Sequence, residues 1–247
     1  MEAAGLGLFM LAAAAMATLL EHPASLLRAS IADPFQRRML MGLAMGTTAI
    51  VLIYSPWGRR SGAHLNPSVT LTFFRLGKMR ARDAAGYVGA QFAGGVAGTA
   101  LAAALLAPWI ADPSVNYVAT VPGPAGAGVA FGGELLISFV LMTVVLIASN
   151  APTLSRFTGI AAGLLIAAFI TFEAPLSGTS MNPARTFGPS LIGGVSAGLW
   201  AYLVAPPIGM LAAAELFLRV NGWRAVHCAT LHHHRGPCRF CAASGRA

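Results

Sequence analysis

Charge is scarce in this sequence. Asp, Glu, Lys and Arg make up 10% of its 247 residues, against about a quarter in an ordinary soluble domain. A soluble helical bundle needs a charged face on each helix, and the long apolar stretches here offer none, so that class is excluded. Cysteine is nearly absent too. Cys228, Cys238 and Cys241 are the whole set, and their place at the far C-terminal end rules out a disulfide framework for the core. No histidine lies between His64 and His227. A membrane enzyme wants clustered His, Cys, Asp or Glu at depth, and an ion-coupled carrier wants ionisable groups in mid-membrane. The apolar stretches offer little beyond Glu2, Glu134, Glu173 and Glu215 near their ends. No cofactor or resident metal is expected.

What is abundant is apolar and small. The chain is 56% hydrophobic, with Gly 28 and Pro 15, and glycine is commoner in membrane helices than in soluble ones. At roughly 20 residues per span, the length accommodates six spans. They are placed at Ala3–Leu20, Met39–Ser55, Ala84–Ala107, Ala130–Ala148, Thr158–Phe172 and Ala197–Leu218. The fifth is short, so protein must shield its ends. Glu2 stands where the basic region of a signal peptide would be, so the first stretch reads as a span. Small residues recur every four positions at Gly86, Ala90, Gly94 and Gly98, and again at Gly159, Gly163 and Ala167. Such stripes let helix backbones approach closely.

The basic residues fix an orientation. With the N-terminus inside, Arg59, Arg60, Arg75, Lys78, Arg80, Arg82, Arg156 and the arginines from Arg219 onward face the cytoplasm. Only Arg28, Arg37 and Arg38 fall outside. Both termini are then cytoplasmic, in a plasma (inner) membrane, and the Gly- and Pro-rich loop from Pro108 to Gly128 is extracellular. The net charge of +8 sits in loops and tail, which argues against nucleic acid as a partner.

An internal repeat is visible. Ser61-Gly62-Ala63-His64-Leu65-Asn66-Pro67-Ser68 matches Ser177-Gly178-Thr179-Ser180-Met181-Asn182-Pro183-Ala184 at Ser, Gly, Asn and Pro. Each copy follows two spans and precedes one. Three spans per half is odd, so the halves, residues 1–107 and 130–218, are inverted relative to each other. Asn is a favoured helix N-cap and Pro a favoured first residue. Two short helices are therefore predicted, Pro67–Arg75 and Pro183–Ile192, entering from opposite faces with their N-termini meeting at mid-membrane. Each N-terminus carries about half a positive charge. Together with the Asn66 and Asn182 amides, they would repel cations and orient a passing water so that a proton wire breaks.

Ser61–Thr70, SGAHLNPSVT, and Ser177–Leu191, SGTSMNPARTFGPSL, resemble the two signature segments of the aquaporin (major intrinsic protein) family. Ser68 stands where the family usually has Ala. The resemblance implies an all-α membrane protein of six transmembrane helices plus two re-entrant half-helices. It also implies a homotetramer with one pore per subunit that passes water and small uncharged solutes. It assigns Glu2 and Glu134 the role of bracing loop backbone. It places a selectivity filter at Arg185 and Thr179, anchored by the second motif, and at Gly46 and Ile170, reached by gap-free counting. Water-selective members carry an aromatic and a histidine where Gly46 and Ile170 stand, so the expected filter is wide and weakly polar. Thr186 stands where glycerol facilitators carry Asp, and Tyr202-Leu203 mixes the two patterns.

The remaining segment, Arg219 to Ala247, is basic and polar. His227, Cys228, Cys238 and Cys241 are the vocabulary of a zinc site, but with a single C-x₂-C pair a disordered cytoplasmic tail is expected. The bundle closes at Leu218 in this reading, so the tail should be dispensable for flux.

Overall fold

The computed structural model describes residues 1–231. Cys238 and Cys241 lie outside the described residues. Eleven α-helices occur among them: α1 (Glu2–Glu21), α2 (Leu26–Ser30), α3 (Pro34–Tyr54), α4 (Pro56–Ser61), α5 (Pro67–Arg75), α6 (Ala81–Leu106), α7 (Ala127–Asn150), α8 (Thr158–Phe172), α9 (Ala174–Ser177), α10 (Pro183–Gly193) and α11 (Leu199–Asn221). Five are long and apolar enough to cross a membrane: α1, α6, α7, α11, and α8 taken with the turn before it. The sixth long helix, α3, has 21 residues and brings Arg37 and Arg38 in its first turns. Asp33 caps it through Phe35 N at 3.0 Å. Arg37 Nε donates to both Glu21 carboxylate oxygens at 3.2 Å, tying the end of α1 to the start of α3.

The two repeats interlock. α1 packs on α6 as α7 packs on α11, and α3 meets α8 across the pseudo-dyad. Each half-helix crosses over, α5 packing on α11 and α10 on α6. Glycine makes these approaches possible. A Cβ at Gly94 would lie 2.3 Å from Ala3 O, and one at Gly209 would lie 2.3 Å from Leu135 O. At Gly95 and Gly188 the clash would be 2.4 Å, against Ala184 O and Gly95 O respectively. The small-residue stripe of α6 is therefore only half used: Gly94 and Gly98 face α1, whereas Gly86 faces open space.

That contrast is testable. A Cβ at Gly98 would sit 2.6 Å from Gly7 Cα and O, both backbone atoms that cannot step aside. Gly98→Ala should destabilise the fold by about 1–3 kcal/mol, whereas Gly86→Ala should be neutral. Thermal midpoints of both variants in detergent check this; equal midpoints would show that α1 and α6 are not in close contact.

At the C-terminal end the structure departs from the sequence reading. α11 continues three residues past Leu218 to Asn221, and a 3-10 turn follows at Trp223–Ala225. Val226, Cys228, Ala229, Thr230 and Leu231 are then buried against the bundle. Of the segment expected to be loose from Arg219 onward, the part from Val226 to Leu231 is packed, with His227 alone of these six exposed.

Candidate functional site

The two motif loops have nearly identical backbones. Gly62 and Gly178 take φ of 86° and 82°, Ala63 and Thr179 both 54°, and Leu65 and Met181 49° and 54°. Left-handed non-glycine residues cost about 1–3 kcal/mol each, so something must hold them. In repeat one it is Glu2, which accepts from Ser61 Oγ and Leu65 N, both at 2.6 Å, and from Gln91 Nε2 at 2.7 Å. In repeat two it is Glu134, which accepts from Ser177 Oγ at 2.8 Å, Ser180 N at 2.6 Å and Met181 N at 2.7 Å. Both carboxylates are buried. Two tyrosines complete the symmetry: Tyr87 Oη donates to Ser61 O and Tyr202 Oη to Ser177 O, each at 2.7 Å.

Behind these loops the half-helices begin as predicted. Asn66 Oδ1 accepts from Ser68 N at 2.8 Å, and Asn182 Oδ1 accepts from Ala184 N at 3.1 Å and Arg185 N at 3.3 Å. Pro67 and Pro183 occupy the first helical positions. The amide nitrogens reach across the dyad: Asn66 Nδ2 donates to Met181 O at 2.7 Å, and Asn182 Nδ2 to Leu65 O at 2.8 Å. A carboxamide nitrogen has two N–H groups, so each asparagine keeps one donor beyond the cross-brace. Both side chains line a cavity of about 310 Å³, and Ser68, buried at its helix start, leaves this geometry intact.

Ile170, Thr179 and Arg185 line the same cavity as the asparagines. Arg185 Nη1 is buried with no protein partner, a donor available to a solute. Gly46 is a correction. Its missing side chain points at α8, where a Cβ would meet Gly163 O at 2.4 Å and Ala167 Cβ at 3.0 Å. The α3 side chains on the cavity are those of Arg38, Met41, Met45, Ala49 and Ile53. Counting back from Asn66 fails because α3 stops at Tyr54 and a separate helix, α4, capped by Ser55, intervenes. Met45, about 100° around the helix from Gly46, lines the cavity instead.

Glu173 was legible only as an acidic residue near a span end. It accepts from Thr179 Oγ1 at 2.6 Å and from Ser177 Oγ at 2.9 Å, and so orients the loop that carries Thr179. Of the tail residues, Cys228 is buried, and His227 N donates to Asn150 Oδ1 at 2.6 Å. Among the described residues no group of three or more His, Cys, Asp and Glu could hold a metal ion.

The family model "Major intrinsic protein" matches residues 2–217. The chain belongs to the major intrinsic protein family. It is 38% identical over 174 residues to "Aquaporin NIP1-3" of Oryza sativa subsp. japonica, covering 70% of this chain and 58% of that protein. It is equally 38% identical to "Probable aquaporin NIP-type" of Nicotiana alata, covering 70% and 62%. The alignments thus span about three fifths of the length of these plant relatives. In fold it resembles the aquaglyceroporin of Plasmodium falciparum, with a TM-score of 0.72, 22% identity and coverage of 89% and 93% of the two chains. The family fold is thus all-helical, with membrane-length helices and an inverted repeat carrying the paired Asn-Pro motifs.

Proposed function

We propose that this major intrinsic protein is a passive channel for water and small uncharged solutes that excludes ions and protons. The observation that carries the proposal is the meeting of two capped half-helix N-termini, Asn66 and Asn182, at one cavity. Two positive dipole ends disfavour a cation there. The remaining amide donors orient a permeating oxygen, so neighbouring waters point their hydrogens away from each other. The plasma membrane location, the cytoplasmic termini and the homotetramer belong to the same proposal. Its support is the distribution of arginine and the family membership.

The filter in this reading is Met45, Ile170, Thr179 and Arg185. It offers one strong donor against two flexible or aliphatic walls. Methionine adapts its shape with three rotatable bonds, so a glycerol-, urea- or metalloid-acid-sized molecule passes where a rigid ring would block it. Stopped-flow light scattering on proteoliposomes, comparing water, glycerol, urea and an undissociated acid, tests this directly. Water flux without any solute flux would leave a strict water channel. Solute conversion or gradient-coupled uptake would point instead to an enzyme or a carrier.

Met45→Ala should raise the ratio of solute to water permeability several-fold, since it removes one wall of the constriction. Gly46→Ala should leave that ratio unchanged and lower thermal stability, because its Cβ meets α8 rather than the pore. Measuring both quantities in both variants separates the two positions. The reverse pattern would restore Gly46 to the filter.

A further inference from the structure

At the face that holds Arg75 and Arg156, the pore mouth is covered by the chain's own C-terminal segment. After α11, Gly222 turns the chain with φ of 77°, and Val226 joins the core cluster that also holds Phe217 and Leu218, with no exposed surface of its own. Three main-chain anchors then carry the segment across the opening. His227 N donates to Asn150 Oδ1 at 2.6 Å, at the end of α7 in the second repeat. Ala229 O lies 3.0 Å from His64 Nε2. Leu231 N donates to Gly62 O at 3.0 Å. The last two partners belong to the motif loop of the first repeat, so the segment bridges one half of the channel to the other. Leu231 lines the channel cavity together with Ala63, His64, Leu141, Val145 and Ala162. It is 5% exposed, and His64 beside it on the cavity wall is 3% exposed.

We propose that residues 226–231 are a plug for this mouth, with the Gly62–His64 loop as its docking site and Leu231 as its tip, and that the channel conducts when the segment withdraws. The proposal rests on the channel reading above. The interaction is built to be reversible. Three hydrogen bonds and a few small apolar side chains contribute stability of the same order as the entropy lost in ordering six residues. Gly222 supplies a pivot whose backbone has little preference of its own. Nothing in the filter takes part, because the anchors lie on the inner side of Asn66.

The plug predicts more flux, not less, when it is removed. Water and solute permeability of the full chain in proteoliposomes should be compared with Leu231→Ala and with a chain ending at Ala225. Conduction scales with the fraction of time the competent state is populated. A plug seated most of the time therefore predicts a rise of about tenfold in the shortened chain and a smaller rise in Leu231→Ala. The ratio of solute to water permeability should not move in either, because the filter is untouched. If the shortened chain does not assemble, Leu231→Ala and a labelling experiment decide. Leu231→Cys, in a background with Cys228, Cys238 and Cys241 changed to Ser, should react slowly with an impermeant maleimide, and flux should rise as it reacts. Unchanged or reduced flux in well-assembled variants, or immediate complete labelling with no gain in flux, would overturn the plug. A chain that conducts nothing in any form would instead overturn the channel reading on which it rests.

Discussion

Asn182→Asp and Asn66→Asp should each reduce solute and water flux by about tenfold or more and introduce a cation leak. The reason is local. Asn182 Nδ2 donates to Leu65 O at 2.8 Å and Asn66 Nδ2 donates to Met181 O at 2.7 Å. A carboxylate has no hydrogen to give, so two oxygens would oppose each other at that separation. An unmade buried hydrogen bond costs about 1–3 kcal/mol. If that loss falls on the permeation barrier, each 1.4 kcal/mol slows passage by about tenfold. The new charge also sits on the positive ends of the half-helices. Its attraction to them is worth up to about 2 kcal/mol, which keeps it ionised and removes the barrier to cations. Because the two asparagines brace each other's loops, the double variant should lose less than the sum of the single losses. Solute flux and ionic conductance measured in the same vesicles check both effects. Wild-type values for both would contradict the cross-braced midplane.

Glu134→Ala should have a larger effect still and should leave little folded channel to assay. Glu134 is fully buried and is the acceptor for Ser177 Oγ, Ser180 N and Met181 N. Removing it strands two backbone donors, Ser180 N and Met181 N, at about 1–3 kcal/mol each, while Ser177 Oγ keeps Glu173 as an acceptor. Two neighbouring residues already held at positive φ, Thr179 and Met181, would be released to relax. The two stranded donors together cost about 2–6 kcal/mol, a large part of the about 5–15 kcal/mol of a typical domain. Glu134→Gln keeps one acceptor oxygen and turns an NH₂ group toward backbone N–H groups, so it should fall between wild type and Ala. Glu2→Ala should behave like Glu134→Ala, since Glu2 holds Ser61 and Leu65 in the same way. Size-exclusion profile and flux are the readouts. A monodisperse, conducting Glu134→Ala protein would show that the loops hold themselves.

Much of this was legible because the motif is local. Asn before Pro caps a helix wherever it occurs, and a Ser-Gly step ahead of each copy exposes the repeat. The boundaries of α5 and α10 therefore follow within a residue or so of expectation. The roles of Glu2 and Glu134 came from the family resemblance, and the geometry supplies their partners. Gly46 was misassigned for an equally definite reason. Its position was reached by counting through a linker, and the count carries no information about the break between α3 and α4. Met45, one step away, has the same hydropathy-based description as many other residues in that span.

The sequence by itself determined the family, the inverted repeat, the two half-helices and the asparagines that begin them. All of these rest on capping chemistry and apolar length, which act over a few residues. Only the tertiary structure decided which face of α3 looks into the pore. Helix phase relative to a distant neighbour is set by close packing, here the Gly46 and Gly163 backbones. Only the tertiary structure, too, brought residues 226–231 back to Gly62 and His64. That contact joins positions more than 160 residues apart. It is made largely by backbone groups, which every sequence carries alike and which therefore leave no mark in the order of side chains.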